Sequence, residues 1–444
     1  MKKMIFKILM IFKILMIFSV AVFLSCGSGN AETPQQEKKV IADTVNASIL
    51  GTVKGDKIII DKDVDLKGNV CKIPAGKTLA FKGGMIKNGV LHGSMTKIEC
   101  NVKAFNKVTI KGSWDVPEIS TRLFADLNYE NSLRDVAALA HPMVKNRIVI
   151  EKGEYKVRAE QKAKVCVPLC SNTNFILKGT IRLAPNDYKG YNIIQAKGEN
   201  IHINGGGTIV GDKHTHTGKE GEWGMGINLK GAVNATISGL TIKDCWGDCI
   251  YVGGNSRKVL IEKCKLDHGR RQGISVTKAN GVIIRNCTIT NVSGTNPQYA
   301  IDIEPNKRDS VDHILIDKVN VRDCEGGILV VHGESQNGAK TPWIGEVTIR
   351  GCNVKSKRKY LIRVKRCEHV KIEKCSFYVQ KGRTAITVTE TGKALVQNNI
   401  VSIDGSIIEK AKNVAKRLMG KGVDPIYVKT KGKSIVKNNK VRER

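Results

Sequence analysis

The chain has 444 residues and a formal net charge of +32, from 73 lysines and arginines against 41 aspartates and glutamates. That length suits one large elongated domain or two ordinary ones, and so large a basic excess selects polyanions or anionic lipid surfaces as partners. The export signal expected at the N-terminus makes nucleic acid a poor candidate, because exported proteins rarely meet it.

Residues 1–25 open with Lys2 and Lys3 and carry a charge-free apolar run, Ile14 to Leu24, of signal-peptide length. The run is too short to span a bilayer, which needs ~20 residues. It ends in Phe23-Leu24-Ser25-Cys26-Gly27, which resembles a bacterial lipobox. The resemblance implies cleavage before Cys26, acylation of that cysteine and a membrane anchor there. Loss of Lys2, Lys3, Lys7 and Lys13 with the signal lowers the charge from +32 to +28. Residues 26–50 are a polar tether. The absence of an acidic run after Cys26 places the expected anchor on the periplasmic side of the outer membrane.

Residues 51–120 show short, glycine-punctuated alternation, as in Ile58-Ile59-Ile60 and Leu79-Ala80-Phe81, and form a small β-rich section. From 121 to 444 the chain repeats with a period of about 23 residues. At the start of this region Asp126 to Ala140 has helical spacing and is expected to cap the open end of the repeats. Val259-Leu260-Ile261-Glu262-Lys263-Cys264 followed by Gly273-Ile274-Ser275-Val276 recurs as Val282-Ile283-Ile284-Arg285-Asn286-Cys287 followed by Ala300-Ile301-Asp302-Ile303. Each copy holds two short alternating strands and no helix, so it cannot form βαβ units. It predicts an all-β solenoid of coils stacked ~4.8 Å apart. A helical pattern over Ser406–Met419 and a strand over Ser434–Val441 are expected at the C-terminal cap.

Thirteen cysteines in an exported chain suggest disulfides. The repeat argues otherwise: one column reads Leu240, Cys264, Cys287, Val319, Cys352, Cys375, Asn399. Cysteine alternates there with Leu and Val, which makes it a small buried hydrophobe in a stacked ladder.

The repeat, the helix with its Glu151-Lys152-Gly153-Glu154-Tyr155 strand, and Gly206-Gly207-Thr208-Ile209-Val210-Gly211 resemble the pectate-lyase-like superfamily of right-handed parallel β-helices over residues 120–400. The resemblance implies a carbohydrate-active scaffold without fixing the reaction. Against the polygalacturonase motifs the chain departs. Gly224-Met225-Gly226 lacks the first aspartate, Gly247-Asp248-Cys249 keeps only the second carboxylate of its pair, and Gln272 stands where that family has histidine. Arg363-Val364-Lys365 lies two rungs too far along.

In each second strand the residue between inward Ile and Val points out. Down the rungs this gives Asn228, Tyr251, Ser275, Asp302, Leu329, Arg363, Thr387, and two residues on Lys230, Gly253, Thr277, Glu304, Val331, Lys365, Thr389. Asp248, Arg270, Arg271, Asp302 and Glu304 are therefore candidate catalytic residues on one face. His214, Trp223, Trp246, Tyr251, His268, Arg363 and Lys365 are candidate substrate-binding residues. The turns 212–223, 290–299 and 332–343 are expected to overhang them. Each also has a structural reading: Asp248 as a turn hydrogen-bonder, Arg270 and Arg271 as a solvated bend, Asp302 and Glu304 in surface ion pairs, the tryptophans as turn packing.

Two reactions on an acidic polysaccharide fit. In β-elimination Arg270 or Arg271 neutralises a uronate, His214, His268, Lys365 or Arg271 removes the proton, and calcium would need Asp248, Asp302 and Glu304 to converge. In hydrolysis two carboxylates among Asp248, Asp302 and Glu304 flank the bond; Asp302 and Glu304, ~6.7 Å apart by strand rise, overlap the ~6.5–9.5 Å window of inverting enzymes. The charge favours the lyase; a non-catalytic glycan-binding monomer is the third reading.

Overall fold

The computed structural model describes residues 44–101, 103–128, 132–160, 164–333, 343–404 and 424–443. The signal segment, Cys26, most of the tether and the helical pattern of 406–419 lie outside these residues.

Branched side chains at every second position leave each segment one apolar face, and stacking is the way to bury it. The described residues form parallel sheets throughout the repeat region. One runs through Val165–Leu169, Gly190–Asn204, Trp223–Ser238, Asp248–Gly253, Gln272–Val276, Tyr299–Ile303, Gly326–Val331, Tyr360–Lys365, Thr384–Thr391 and Ile426–Thr430. A second follows each of these strands in sequence, as in Ser256–Glu262 beside Ala279–Arg285. An eleven-stranded third sheet runs from Glu154–Val157 to Lys440–Glu443. The long strands Gly190–Asn204 and Trp223–Ser238 belong to both of the first two sheets. Ile and Val from all three fill one continuous interior.

The turn between the second and third sheets recurs in fixed form. A residue at positive φ (Gly239, Lys263, Asn286, Lys318, Gly351, Lys374, Asn398) precedes the buried column Leu240, Cys264, Cys287, Val319, Cys352, Cys375, Asn399. Glycine and asparagine accept that backbone readily, so their recurrence marks the turn. The thiols lie inside and are unoxidised. Each caps a carbonyl of the preceding coil: Cys264 Sγ on Ile237, Cys287 on Ile261, Cys352 on Ile316, Cys375 on Ile349, at 3.7 to 3.8 Å. Asn399 continues the ladder, its Nδ2 donating to the Ile372 carbonyl at 3.0 Å while its Oδ1 accepts the Cys375 amide at 3.0 Å.

Residues 44–114 build an eight-stranded sheet system of their own. The helix expected over 126–140 is described only for Ser132–Ala138. It lies at the N-terminal end of the β-helix, as expected of a cap. It packs between Phe105–Trp114 on one side and Val165–Leu169 on the other, and Asp135 Oδ1 accepts the Ile110 amide at 3.0 Å. Leu133, Val136 and Ala137 are buried between these two strands.

Candidate active site

The first sheet's outer face carries the candidate residues in the expected register. Asn228 pairs with Tyr251, Tyr251 with Ser275, Ser275 with Asp302, Asp302 with Leu329, and Leu329 with Arg363. Over the first part of this column lies an open groove of about 660 Å³. Trp223, Asn228, Lys230, Tyr251, Arg271, Ser275, Asp302 and Glu304 line it.

The centre of the column is not exposed, contrary to the strand pattern. Ser275 and Asp302 are each 2% exposed, and Asp248, which lies beside the column, is fully buried. The neighbouring coils explain it. Arg271 lies across Asp248, its Nη1 3.3 and 3.4 Å from the two carboxylate oxygens, and Ser275 Oγ donates to Asp248 Oδ2 at 2.6 Å. Burial pushes the Asp248 carboxyl up, and Arg271 and Ser275 pull it back. Arg271 Nε also faces Glu222 at 3.5 Å.

Asp302 is held from below. Gln272 Nε2 donates to Asp302 Oδ2 at 2.6 Å, and Gln272 Oε1 accepts the Tyr299 amide at 2.7 Å. Asp302 Oδ1 is buried with no protein partner. Burial pushes the Asp302 carboxyl well above the usual carboxylate range, and the Glu304 carboxylate beside it pushes the same way by charge and by sharing its proton. Asp302 thus holds a proton more readily than an ordinary carboxyl and lies in contact with Glu304. The ~6.7 Å separation by strand rise applies to their backbone positions; the carboxyls themselves meet.

Arg270 leaves this group. Its guanidinium lies 3.6 Å from the centre of the Trp246 ring and donates to the carbonyls of Gly221 and Trp246. Trp246 is stacked on His216 at 3.8 Å and is only 9% exposed, so it packs a turn and offers no sugar a platform. His216 is itself buried against Asp212, which also receives the Tyr191 hydroxyl. His214 and His268 stand 6.1 Å apart on neighbouring turns beside Asp244 and Asp267, and neither lines the groove. Arg363 lies farther along the same face in a separate depression of about 460 Å³, and Lys365 pairs with Glu390 at 3.2 Å. Two of the predicted overhanging turns touch: Lys213 Nζ donates to the Ser293 carbonyl at 2.8 Å. Of the turn 332–343, residues 334–342 lie outside the described ones. Among the described residues no three His, Cys, Asp or Glu side chains converge as a metal site, and Asp248 is screened from Glu304 by Arg271.

Sequence reasoning missed the groove's other end. Asn192 and Gln195 line it, in register with Met225 and Asn228. Asn228 Nδ2 donates to Asn192 Oδ1 at 2.9 Å, and Asn228 Oδ1 is left without a partner. The alternation Tyr191, Ile193 was the available signal; a 33-residue step to the next coil hid it. Gln272 and Ser275 fall in the third-rung motif and in the outward column, but their bonds to the carboxylates are not visible in one dimension.

A family model described as "Right handed beta helix region" matches residues 186–341. The chain is a right-handed parallel β-helix. Among solved structures the β-helix is similar to the A-module of Azotobacter vinelandii mannuronan C-5 epimerase AlgE6, at 14% identity and a TM-score of 0.54, covering 73% of this chain and 87% of that one. Among curated sequences it is similar to the SPbeta prophage-derived uncharacterized protein YorA of Bacillus subtilis, 25% identical over 286 residues, which is 56% of this chain and 49% of the relative. It is 31% identical to the uncharacterized protein YclG of the same organism over 163 residues, 32% of this chain and 28% of that protein. The match thus spans at most about half the length of these curated relatives.

Proposed function

We propose that the groove hydrolyses a glycosidic bond of a polysaccharide, with Asp302 as the proton donor. The observation that carries this reading is a buried carboxyl at the groove, pushed towards its protonated form by burial and by the Glu304 carboxyl it meets. A carboxylic acid kept protonated near neutrality is what general-acid attack on a glycosidic oxygen needs. The AlgE6 module is named for acting on mannuronan, a polysaccharide, which agrees with the class of substrate.

The charges favour hydrolysis over β-elimination. Around the acid pair, the carboxylates of Asp248, Glu222 and Glu304 outnumber the single guanidinium of Arg271. Negative surroundings stabilise the cationic, oxocarbenium-like transition state of hydrolysis. Elimination instead builds negative charge on the sugar, and the arginines that would stabilise it are engaged: Arg271 by Asp248 and Glu222, Arg270 by Trp246.

In this mechanism the entering sugar parts the two carboxyls, which meet in its absence, so that the scissile bond lies between them. Asp302 gives its proton to the bridging oxygen as the bond to the anomeric carbon breaks. Water attacks that carbon and yields its proton to Glu304. Asp302 ends ionised and Glu304 protonated, and their contact in the empty groove returns the proton. Trp223, 53% exposed at the groove wall, offers a stacking face for a sugar.

The test is product chemistry on a panel of acidic and neutral polysaccharides. Hydrolysis gives new reducing ends without the ultraviolet absorbance of an unsaturated uronate. Ends with that absorbance establish elimination and overturn the reading; binding without new ends establishes a glycan-binding protein.

A further inference from the structure

The groove has two chemically different ends. Its acid pair is a locally negative place, which repels an anionic sugar. Its other end holds Lys164, Lys189 and Lys230 among the neutral side chains Asn192, Gln195 and Asn228. Lys189 is paired with Glu220. Among the described residues Lys164 and Lys230 form no ion pair, and both are exposed.

The register fixes the distance between the ends. Asn228 and Asp302 occupy one column, separated by Tyr251 and Ser275. Three coil steps amount to ~14 Å, about the length of three sugars. Each end of that column carries a polar oxygen without a protein partner, Asn228 Oδ1 and Asp302 Oδ1. Asn228 Oδ1 is an amide acceptor and calls for a donor from a ligand, such as a sugar hydroxyl, whereas Asp302 Oδ1 is placed to give a proton. Between the ends, Gly253 and Gly254 clear the floor beside Lys230: a Cβ built on Gly253 would meet the Tyr251 ring at 2.6 Å. Tyr251 is turned along the column instead, its hydroxyl bonded to Thr277 Oγ1 at 2.7 Å.

We propose that the end built by Trp223, Asn228, Lys164 and Lys230 is an anion-reading subsite, which seats an acidic sugar about three residues from the bond at Asp302. This rests on the groove's being the glycan site and names its substrate class: a heteropolysaccharide whose acidic unit is not the unit being cut. A chain with a carboxylate on every sugar would bring one against Glu304 and Asp302.

The experiment separates this subsite from the chemistry. Binding is measured with the Asp302→Asn protein on arrayed oligosaccharides of two to eight units, comprising uniformly acidic, neutral and alternating neutral–acidic chains. The expected result is binding of mixed chains of four units or more, reduced about tenfold by Lys164→Gln with Lys230→Gln, with a shallower salt dependence. Lys258→Gln, on the second sheet, is the charge control and leaves binding as it was. Equal binding of neutral chains, undiminished binding by the double lysine variant, or no binding of any acidic chain overturns the subsite. Failure of the wild type to cut a chain that this subsite binds overturns hydrolysis alone.

Discussion

Two columns of buried polar groups run down this molecule, and they end differently. In the interior column every thiol and the Asn399 amide finds a carbonyl or an amide of the adjacent coil. In the groove column Ser275 and Asp302 are as deeply buried, yet Asn228 Oδ1 has no partner and Asp302 Oδ1 meets no protein donor. The same winding makes both, because a residue type placed once per coil becomes a stack. A satisfied stack contributes stability; an unsatisfied one keeps binding capacity in reserve, at a cost to the fold.

The largest expected effect lies in the unsatisfied column. Asp302→Asn should lower kcat by about 100- to 10 000-fold, the usual contribution of a positioned acid, while the protein stays folded. A variant with unchanged kcat on the polysaccharide it cleaves would remove Asp302 from the chemistry. The converse is expected in the satisfied column. Asn399→Ala strands the Cys375 amide and the Ile372 carbonyl, and should destabilise by about 3 kcal/mol, read as a denaturation midpoint, with kcat per folded molecule retained. Equal loss of activity and stability in both variants would erase the distinction between the columns.

Gln272→Ala frees Asp302 Oδ2 and the Tyr299 amide. A fall in kcat of about tenfold and a destabilisation of about 1–3 kcal/mol are expected, together with a shifted pH optimum. A stability loss without a shift would make Gln272 merely structural. Trp223→Ala is expected to act on binding alone, raising KM about tenfold, the equivalent of ~1.4 kcal/mol of stacking.

The solenoid, its register and its thiol ladder were legible because each is periodic: alternation gives the strands, and a positive-φ residue before a small buried one gives the turn. Arg363, Tyr251 and Asp302 fell in their expected columns for the same reason. What was not legible is what covers a side chain. Strand parity sends Ser275 and Asp302 outward, but Arg271 and the neighbouring coil close over that side. Nor could spacing show Arg270 laid on Trp246, since that contact joins residues from two adjacent turns. The coil with Asn192 and Gln195 escaped because 33 residues separate it from the next coil, longer than the repeat that marks the others.

A proton donor at Asp302 must stay protonated in the folded protein, and its stability linkage tests this most directly. A carboxyl whose folded value is raised binds its proton more tightly folded than unfolded. The native state then loses stability as pH rises from about 4, the unfolded value, through the folded one. Asp302→Asn abolishes that loss. Denaturant unfolding of both proteins from pH 4 to 8 should show the variant gaining on the wild type by up to about 1.4 kcal/mol per pH unit. A difference that is flat, or that favours the wild type as pH rises, would mean that Asp302 is ionised in the groove and cannot be the acid.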